Sequence, residues 1–253
     1  NMIDPFHLEA YGKTTVNYNR DVEIFPVLKA IFQRILGKSP YQSPTDMGVN
    51  MAGYCICDDE VCREASRLEI LRRYYAGAVE YLRGECDENV MRKLELVMQQ
   101  ADVTPELLPA VKASLDKAAE TGKPAGALVL PDGSVVTGKT SPLLGTSAAL
   151  LLNALKKLGN IDHDLDLISA QVIEPICKLK TENLGNHNPR LHSDEILVAL
   201  CISALTNPIA QRAQEQLGKL RGCDAHFSVV LPTVDAQIYK KLGINVSCEA
   251  HYE

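Results

Sequence analysis

The chain has 253 residues, of which 46% are hydrophobic and 23% are charged, and its formal net charge is -6. These values are ordinary for a globular protein, so they exclude a disordered chain and allow one large domain or two smaller ones. A mildly acidic chain with no dense lysine or arginine block, no bilayer-length apolar run and no signal-peptide pattern predicts a cytoplasmic protein without nucleic-acid or membrane partners.

The first segment, residues 1–58, is polar and does not read as a self-contained domain. One amphipathic helix is predicted from Pro26 to Leu36, because Val27, Ile31 and Ile35 recur at helical spacing. The chain opens on asparagine rather than methionine, so we expect a fragment of a longer protein.

Residues 59–122 are predicted to form a helical subdomain of three helices. The first runs from Glu60 to Leu82, before a glycine that suits a helix end. Asp87 is expected to cap the second helix. The third is expected to begin at Thr104-Pro105-Glu106, which combines a capping hydroxyl with a proline and an acid in the first turn, and to end near Gly122.

Residues 123–253 are predicted to form an α/β layer domain. A hairpin comes first, and helices and strands then alternate. The expected strands are Ala125–Leu130, Val135–Thr137, Leu165–Ile168, Phe227–Leu231 and Ile244–Cys248, and the expected helices are Ala148–Leu158, Val172–Lys180, Ser193–Leu205, a further helix to Leu220, and Val234–Leu242. The whole chain is therefore predicted to be a mixed α/β protein.

Eight cysteines are present. In a chain of this length without a signal peptide, we expect thiols rather than disulfides. Cys55 and Cys57 together with Cys62 could bind a soft metal, but no fourth ligand has matching spacing.

Three stretches of sequence carry a family resemblance. They are NMIDPFHLEAYGKTTVNYNRD from residue 1, SPTDMGVNMAG from residue 43 and NPRLHSDE from residue 188. With them the chain resembles the bacterial family known as domain of unknown function 1846, over essentially its whole length. The resemblance implies the carboxy-terminal half of a protein about twice as long.

The resemblance has two further implications. The amino-terminal half of the family resembles a nucleotide-binding α/β domain with a glycine-rich, lysine-containing phosphate loop, and this half is expected to be absent here. The carboxy-terminal region of the family resembles the cytidine-deaminase-like α/β arrangement, which agrees with the hairpin, helix and strand order after Ala125. No activity follows from the resemblance.

The first group of candidate site residues lies in the polar segment. Dense amides with a lysine and an arginine, without an apolar period, are typical of a site for a phosphate or carboxylate. A solvated loop whose asparagines and glycines form turns would give the same composition, so both interpretations are open. The residues are His7, Lys13, Asn17, Asn19, Arg20 and Asp21.

Two glycine-containing segments are further candidates, because glycine permits close approach of the backbone to a ligand. One holds Thr45, Asp46, Gly48, Asn50 and Gly53; the other holds Gly138-Lys139-Thr140-Ser141 followed by Gly145-Thr146-Ser147 at a predicted helix start. Helix N-termini favour anions, although the spacing here is not that of a Walker loop. The alternatives are a loop with a capping aspartate and a capped helix after a strand.

The last group is His187, Asn188, Arg190, His192, Asp194 and Glu195. A zinc deaminase uses His-x-Glu with a distant Pro-Cys-x-x-Cys, whereas this chain has His192-Ser-Asp-Glu195 and no Cys-x-x-Cys, so that metal site does not carry over. Three interpretations are open: Ser193 caps a helix with acids in its first turn, His192 and Glu195 form an acid–base pair, or a different metal site is present.

The leading prediction is part of an enzyme that binds a nucleotide or a phosphorylated small molecule in a cleft between the polar segment and the protein's own amino-terminal domain. Lys13 and Arg20 would neutralise phosphate charge, and His7 or Asp21 would transfer a proton. A nucleotide cofactor, if the protein has one, would be held mainly by the amino-terminal domain.

Two rival predictions are a non-catalytic module and a metal hydrolase. In the first, the protein is a homo-oligomer whose apolar helices around Leu150 and Val198 bury subunit contacts. In the second, His187 and His192 hold a metal ion that activates water.

Overall fold

The computed structural model describes residues 2–48, the backbone of 51–52, and residues 58–252. The chain divides into two compact units, Asn1–Leu107 and Leu108–Glu253. Both helices and strands are present in each unit, so the predicted mixed α/β class is confirmed. The division falls earlier than the boundary at residue 122 expected from the sequence, since the helix that follows Leu108 belongs to the second unit.

In its described residues, the first unit combines a small antiparallel sheet with four helices. Its strands pair in the order β1-β2-β3, with Met2 opposite Asn17 and Thr15 opposite Ala52. The elements are β1 (Met2–Ile3), α1 (Pro5–Tyr11), β2 (Thr15–Asn17), α2 (Asn19–Leu36), β3 (Met51–Ala52), α3 (Asp59–Leu82) and α4 (Glu88–Gln100), with 3-10 turns at Pro44–Met47 and Pro105–Leu107.

Aspartate caps start three of these helices. Asp4 accepts hydrogen bonds from the first turn of α1, Asp58 from that of α3 and Asp87 from that of α4. The helices at 60–82 and after Asp87 are therefore confirmed.

Helix α2 begins at Asn19 and not at Pro26, so the predicted start is wrong. The polar run at residues 19–21 is its first turn. Val22 and Phe25 are buried, whereas Ile35 of the predicted apolar stripe is 71% exposed. The buried face lies at the beginning of the helix, where Pro26 is accommodated despite the hydrogen bond that proline cannot donate.

The second unit is built on a four-stranded sheet. Its order is β5-β4-β6-β7; β4 is antiparallel to both β5 and β6, and β6 is parallel to β7. The elements are α5 (Pro109–Thr121), β4 (Ala125–Val129), β5 (Val135–Lys139), α6 (Thr146–Leu158), α7 (Ala170–Lys178), α8 (Ser193–Ala204), α9 (Pro208–Gln214), β6 (Asp224–Phe227), α10 (Thr233–Leu242) and β7 (Asn245–Cys248).

Helix α6 forms the centre of the second core. Leu150, Leu151 and Leu155 are fully buried, together with Phe227 from the sheet and Tyr239 from α10. Leu150 is therefore a core residue of this unit, while the homo-oligomer predicted from the helices around Leu150 and Val198 stays a prediction.

Several predicted elements of the second unit need correction. Residues 165–168 form no strand, although Leu167 and Ile168 are buried. The third helix begins at Pro109, because Pro105–Leu107 is only a 3-10 turn. Strand β6 ends at Phe227, where it was predicted to begin. The hairpin, α6, α8, α10 and β7 are confirmed.

The described cysteines form no disulfide. Cys55 and Cys57 lie outside the described residues. Within the described ranges, no helix combines the length and the apolar character that a bilayer span requires.

Candidate functional site

His192 and Asp235 form the most specific polar contact in the second unit. His192 is the residue before α8, and Asp235 lies in the first turn of α10. The Nδ1 atom of His192 is 2.9 Å from Oδ2 of Asp235, and the backbone N–H of Ser193 donates to Oδ1 at 2.7 Å. Both carboxylate oxygens are thus engaged at the start of α8.

The two side chains of this pair differ in exposure. The Asp235 side chain is 3% exposed and that of His192 is 31% exposed. A buried carboxylate that accepts from Nδ1–H fixes the tautomer of the ring, which leaves Nε2 available to a ligand.

Each partner shifts the pKa of the other. The hydrogen bond to Asp235 raises the pKa of His192 above its ordinary value, against an opposing effect of burial. Burial alone would raise the pKa of Asp235, but the hydrogen bonds from His192, Ser193 and Ser147 outweigh it and hold that pKa below its ordinary value. The pair therefore favours a protonated histidine beside an ionised aspartate.

A buried lysine supports the segment that carries His192. Lys180 lies in a short π-helical turn, Leu179–Asn183, and donates to the carbonyl of Arg190 at 2.6 Å and to Oε2 of Glu195 at 2.8 Å. The same Glu195 oxygen accepts the backbone N–H of His192 at 2.8 Å. Irregular π turns occur often at functional sites, and this one fixes the backbone on both sides of the histidine.

Glu195 therefore contacts the backbone of His192 and not its ring. Its carboxylate holds the backbone of the histidine and pairs with Lys180, while Asp235 contacts the ring. Of the other predicted residues in this group, Arg190 is half-buried and His187 is exposed.

The pocket along α6, which we call the α6 pocket, contains Lys139, predicted from the sequence as a phosphate ligand. It measures about 410 Å³ and is also lined by Lys117, Lys156 and His163. Thr140, predicted beside Lys139, is buried instead, with its hydroxyl 2.6 Å from that of Thr146. The threonine contact joins the end of β5 to the start of α6.

In the first unit, a buried carboxylate joins α1 to β2. Asp4 is fully buried, and its Oδ2 accepts from Asn17 Nδ2 at 2.8 Å and from the Thr45 hydroxyl at 3.2 Å. Burial raises the pKa of Asp4, and its hydrogen bonds only partly oppose that rise. Asn17, a predicted ligand residue, thus takes part in an internal hydrogen-bond network.

Two further contacts join α1 to the 3-10 turn at Pro44–Met47. His7 Nδ1 lies 3.2 Å from the Ser43 hydroxyl, and the Tyr11 hydroxyl donates to Asp46 at 2.8 Å. The pKa of Asp46 is lowered, because hydrogen bonds from the Gln42 backbone and from Tyr11 outweigh the effect of its partial burial. His7 and Asp46, both predicted site residues, are therefore linked through Ser43, whose hydroxyl contacts His7 and whose backbone N–H donates to Asp46.

The remaining residues predicted in the first unit are separate from that network. Lys13 and Arg20 are exposed, and Asn19 is half-buried. Asp21 lies beside Gly48, whose missing Cβ would sit 3.4 Å from Oδ2 of Asp21. Asn50 and Gly53 lie outside the described residues.

Sequence reasoning missed Asp235, Lys180 and Asp4. Asp235 is 43 positions from His192, and no motif spacing connects them. The only available signal was an aspartate in the first turn of a predicted helix, a position that ordinarily needs no explanation beyond the helix dipole. In the described part of the chain, no three histidine, cysteine or acidic side chains are grouped as a metal site would require, which gives the hydrolase alternative no support.

These observations define a mixed α/β protein of two units, with a positioned histidine and a lysine-lined pocket in the second. Residues 1–102 match the model for the amino-terminal domain of unknown function DUF1846, and residues 106–253 match the model for its carboxy-terminal domain. The chain belongs to the DUF1846 family, which confirms the predicted family. The expectation of the carboxy-terminal half alone is wrong, because residues 1–102 match the amino-terminal model.

The chain is similar over all 253 residues to proteins described as UPF0371 proteins. The identity is 54% for the protein from Corynebacterium efficiens, 53% for one from Streptococcus thermophilus and 53% for one from Streptococcus pneumoniae serotype 19F. All of this chain is covered in each case, and it spans 51% of the length of each relative.

Proposed function

We propose that the chain is part of a cytoplasmic enzyme that acts on a phosphorylated small molecule, such as a nucleotide, and moves a proton through His192. The proposal is carried by the 2.9 Å contact between His192 and the buried Asp235. A histidine held by a carboxylate at Nδ1 is the arrangement that general acid–base catalysis uses, because the ring is fixed in orientation and tautomer.

The surroundings of His192 support proton transfer rather than a purely structural role. A structural histidine is ordinarily satisfied at both nitrogens, as His226 is by Ser247 and Glu249 at 2.8 and 3.2 Å. His192 instead keeps part of its ring at the surface while four backbone and side-chain hydrogen bonds fix its neighbourhood. Such fixed positioning reduces the reorganisation needed in a transition state.

The phosphorylated substrate class rests on the cationic side chains. A protonated His192 and the neighbouring Arg190 would attract an anion. Lys13 and Arg20 keep the role that we predicted for them, neutralisation of phosphate charge, and their exposure leaves both side chains accessible. The sheet order β5-β4-β6-β7 is compatible with the cytidine-deaminase-like arrangement that the family resemblance implies. The zinc-binding motifs of those deaminases do not carry over to this sequence.

The test is turnover of a panel of nucleotides and sugar phosphates by this chain and by the longer relative from Corynebacterium efficiens. For any compound turned over, His192→Gln should lower the rate by about 10²- to 10⁴-fold, the usual size of a general acid–base contribution. Its circular dichroism should stay unchanged. If the variant turns over substrate at the rate of the unaltered protein, His192 has no part in the chemistry.

Lys13→Ala and Arg20→Ala are tested separately, by nucleotide binding to the longer relative at its matching positions. If Lys13 and Arg20 contact a phosphate, removing either side chain should weaken nucleotide binding, and the effect should be smaller at high salt. Unchanged affinity in both variants removes these two residues from the proposal and leaves the role of His192 intact.

A second candidate function is a homo-oligomeric module, which the exposed apolar face of α8 favours. Val198, Ile202 and Leu205 are 60%, 54% and 82% exposed, although each side chain is large and apolar. Native mass before and after Ile202→Lys would test it, with Val135→Lys as a control at another exposed apolar position. A monomeric mass for the unaltered chain would refute this candidate.

A further inference from the structure

We propose that the α6 pocket binds the phosphoryl group of a small molecule whose remaining part is apolar or planar. The site goes beyond the proton-transfer role of His192, because neither His192 nor Asp235 lines the pocket. Its volume of about 410 Å³ lies within the range of roughly 300–1,000 Å³ that is typical of small-molecule sites.

The charges around the α6 pocket favour an anion. Three lysines, Lys117, Lys139 and Lys156, contribute to the lining, and His163 adds a group that can become cationic. Asp166 is the acidic side chain among them. The lysines come from α5, β5 and α6, so their charges converge from three separate elements rather than following one solvated helix face.

The three ammonium groups differ in what they contact. Lys117 pairs with the exposed Glu120 at 2.9 Å, and Lys156 donates to the carbonyl of His163 at 2.8 Å. The ammonium group of Lys139, whose backbone belongs to β5, makes neither a hydrogen bond nor an ion pair with the described residues. Glu120 has a lowered pKa through its hydrogen bond and charge interaction with Lys117 and, more weakly, the charge of Lys139. Lys139 is therefore the cation most available to a ligand.

The inner wall of the pocket is apolar. Leu152 on α6 and Leu167, Ile168 and Ile173 contribute to it. An apolar wall below a cationic rim fits a ligand that is charged at one end only, such as a nucleoside monophosphate or another organic phosphate. Inorganic phosphate would use the rim alone, so it should bind more weakly than an organic phosphate.

The experiment is isothermal titration calorimetry of the 253-residue chain with adenosine monophosphate, adenosine and inorganic phosphate as probes. We expect the monophosphate to bind more tightly than either of the other two. Lys139→Met should weaken that binding about threefold, and Lys139→Met combined with Lys156→Met about tenfold, as expected for partly exposed charge pairs. Lys139→Arg should retain binding.

Lys157→Met is the matched control, because Lys157 follows Lys156 in the last turn of α6 but does not line the pocket. Lys156→Met removes the hydrogen bond to the His163 carbonyl and could displace that residue, whereas Lys139→Met removes no internal hydrogen bond. The single Lys139 variant therefore keeps the test valid. Equal weakening in the control, equal binding of adenosine and its monophosphate, or no binding of any probe at millimolar concentration would overturn the proposal. His192→Gln should leave monophosphate binding unchanged, so failure of this site and failure of the proposed proton transfer are distinguishable.

Discussion

Replacement of Asp235 by asparagine should lower the free energy of unfolding by about 2 kcal/mol at pH 6. Asp235 as a whole residue is 2% exposed, and its carboxylate accepts hydrogen bonds from the Ser193 backbone and from the His192 ring. Asparagine can still accept from Ser193, but it loses the charge that pairs with protonated His192. Hydrogen bonds to charged groups contribute about 1.5–3 kcal/mol, from which the expected value follows.

The loss should be smaller at pH 9 than at pH 6. Because the folded state raises the pKa of His192, its protonation stabilises the fold fully below the ordinary histidine pKa, and this contribution disappears as the pH rises through the raised value. Because the pKa of Asp235 is lowered, its ionised carboxylate stabilises the fold at both pH values, and this contribution would be lost only in acid. Some destabilisation by the asparagine should therefore persist at pH 9.

Urea unfolding of both proteins at pH 6 and pH 9 would measure these differences. The control is Asp116→Asn, since Asp116 is exposed on α5 and its side chain makes no hydrogen bond with the described residues. Its effect should be within about 0.5 kcal/mol at either pH. NMR titration of the His192 ring should show a lower pKa in the Asp235 variant. The reasoning is refuted if the ring titrates identically in both proteins, or if the loss of stability grows between pH 6 and pH 9.

Two further predictions concern packing in the second unit. Gly138→Ala should lower the free energy of unfolding by about 1–3 kcal/mol, because a Cβ there would lie 2.4 Å from the backbone nitrogen of Leu150. The control is Gly218→Ala, which has open space around it and should be nearly neutral. Similar losses for the two variants in urea unfolding would contradict this reasoning. Tyr239→Phe should cost about 0.5–1.5 kcal/mol, because the hydroxyl that donates to the Ser147 carbonyl at 2.8 Å would be lost. An unchanged urea midpoint would show that this hydrogen bond does not contribute to stability.

The elements that the sequence predicted well are those with strong local signals. Asp87 is followed by a helix because its side chain accepts the backbone N–H of Val90, a contact within three residues. The hairpin from Ala125 follows from two apolar runs around Pro131–Ser134, where Asp132 accepts from the Ser134 backbone. Neither interaction depends on distant parts of the chain.

The errors arose where tertiary contacts outweigh local pattern. Residues 165–168 have the composition of a buried strand, but in the structure Leu167 and Ile168 bury their side chains without pairing with a neighbouring strand. Helix α2 extends before Pro26 because Val22 and Phe25 are buried in the first unit, a gain that outweighs the proline penalty. Periodicity within a short window cannot report either effect.

The candidate site shows the same division between local and distant information. Lys139 could be found from the sequence, because it ends a predicted strand before a predicted helix start. The partner of His192 could not, since any of several acids would have fitted the pattern and Glu195, the nearer one, contacts the backbone instead. A histidine identified from sequence therefore indicates a position for chemistry, while the residue that tunes it depends on how the helices pack.

Helix α6 connects the two features that carry the proposals. Asn153 and Lys156 on its outer face line the α6 pocket, while at its beginning the Ser147 carbonyl is held by Tyr239, one turn after Asp235 on α10. Leu144, which also lines the pocket, forms a bridge with Leu191, the residue before His192. Because cores of this kind are close-packed, the pocket and the histidine are held in a fixed relation by the same helix.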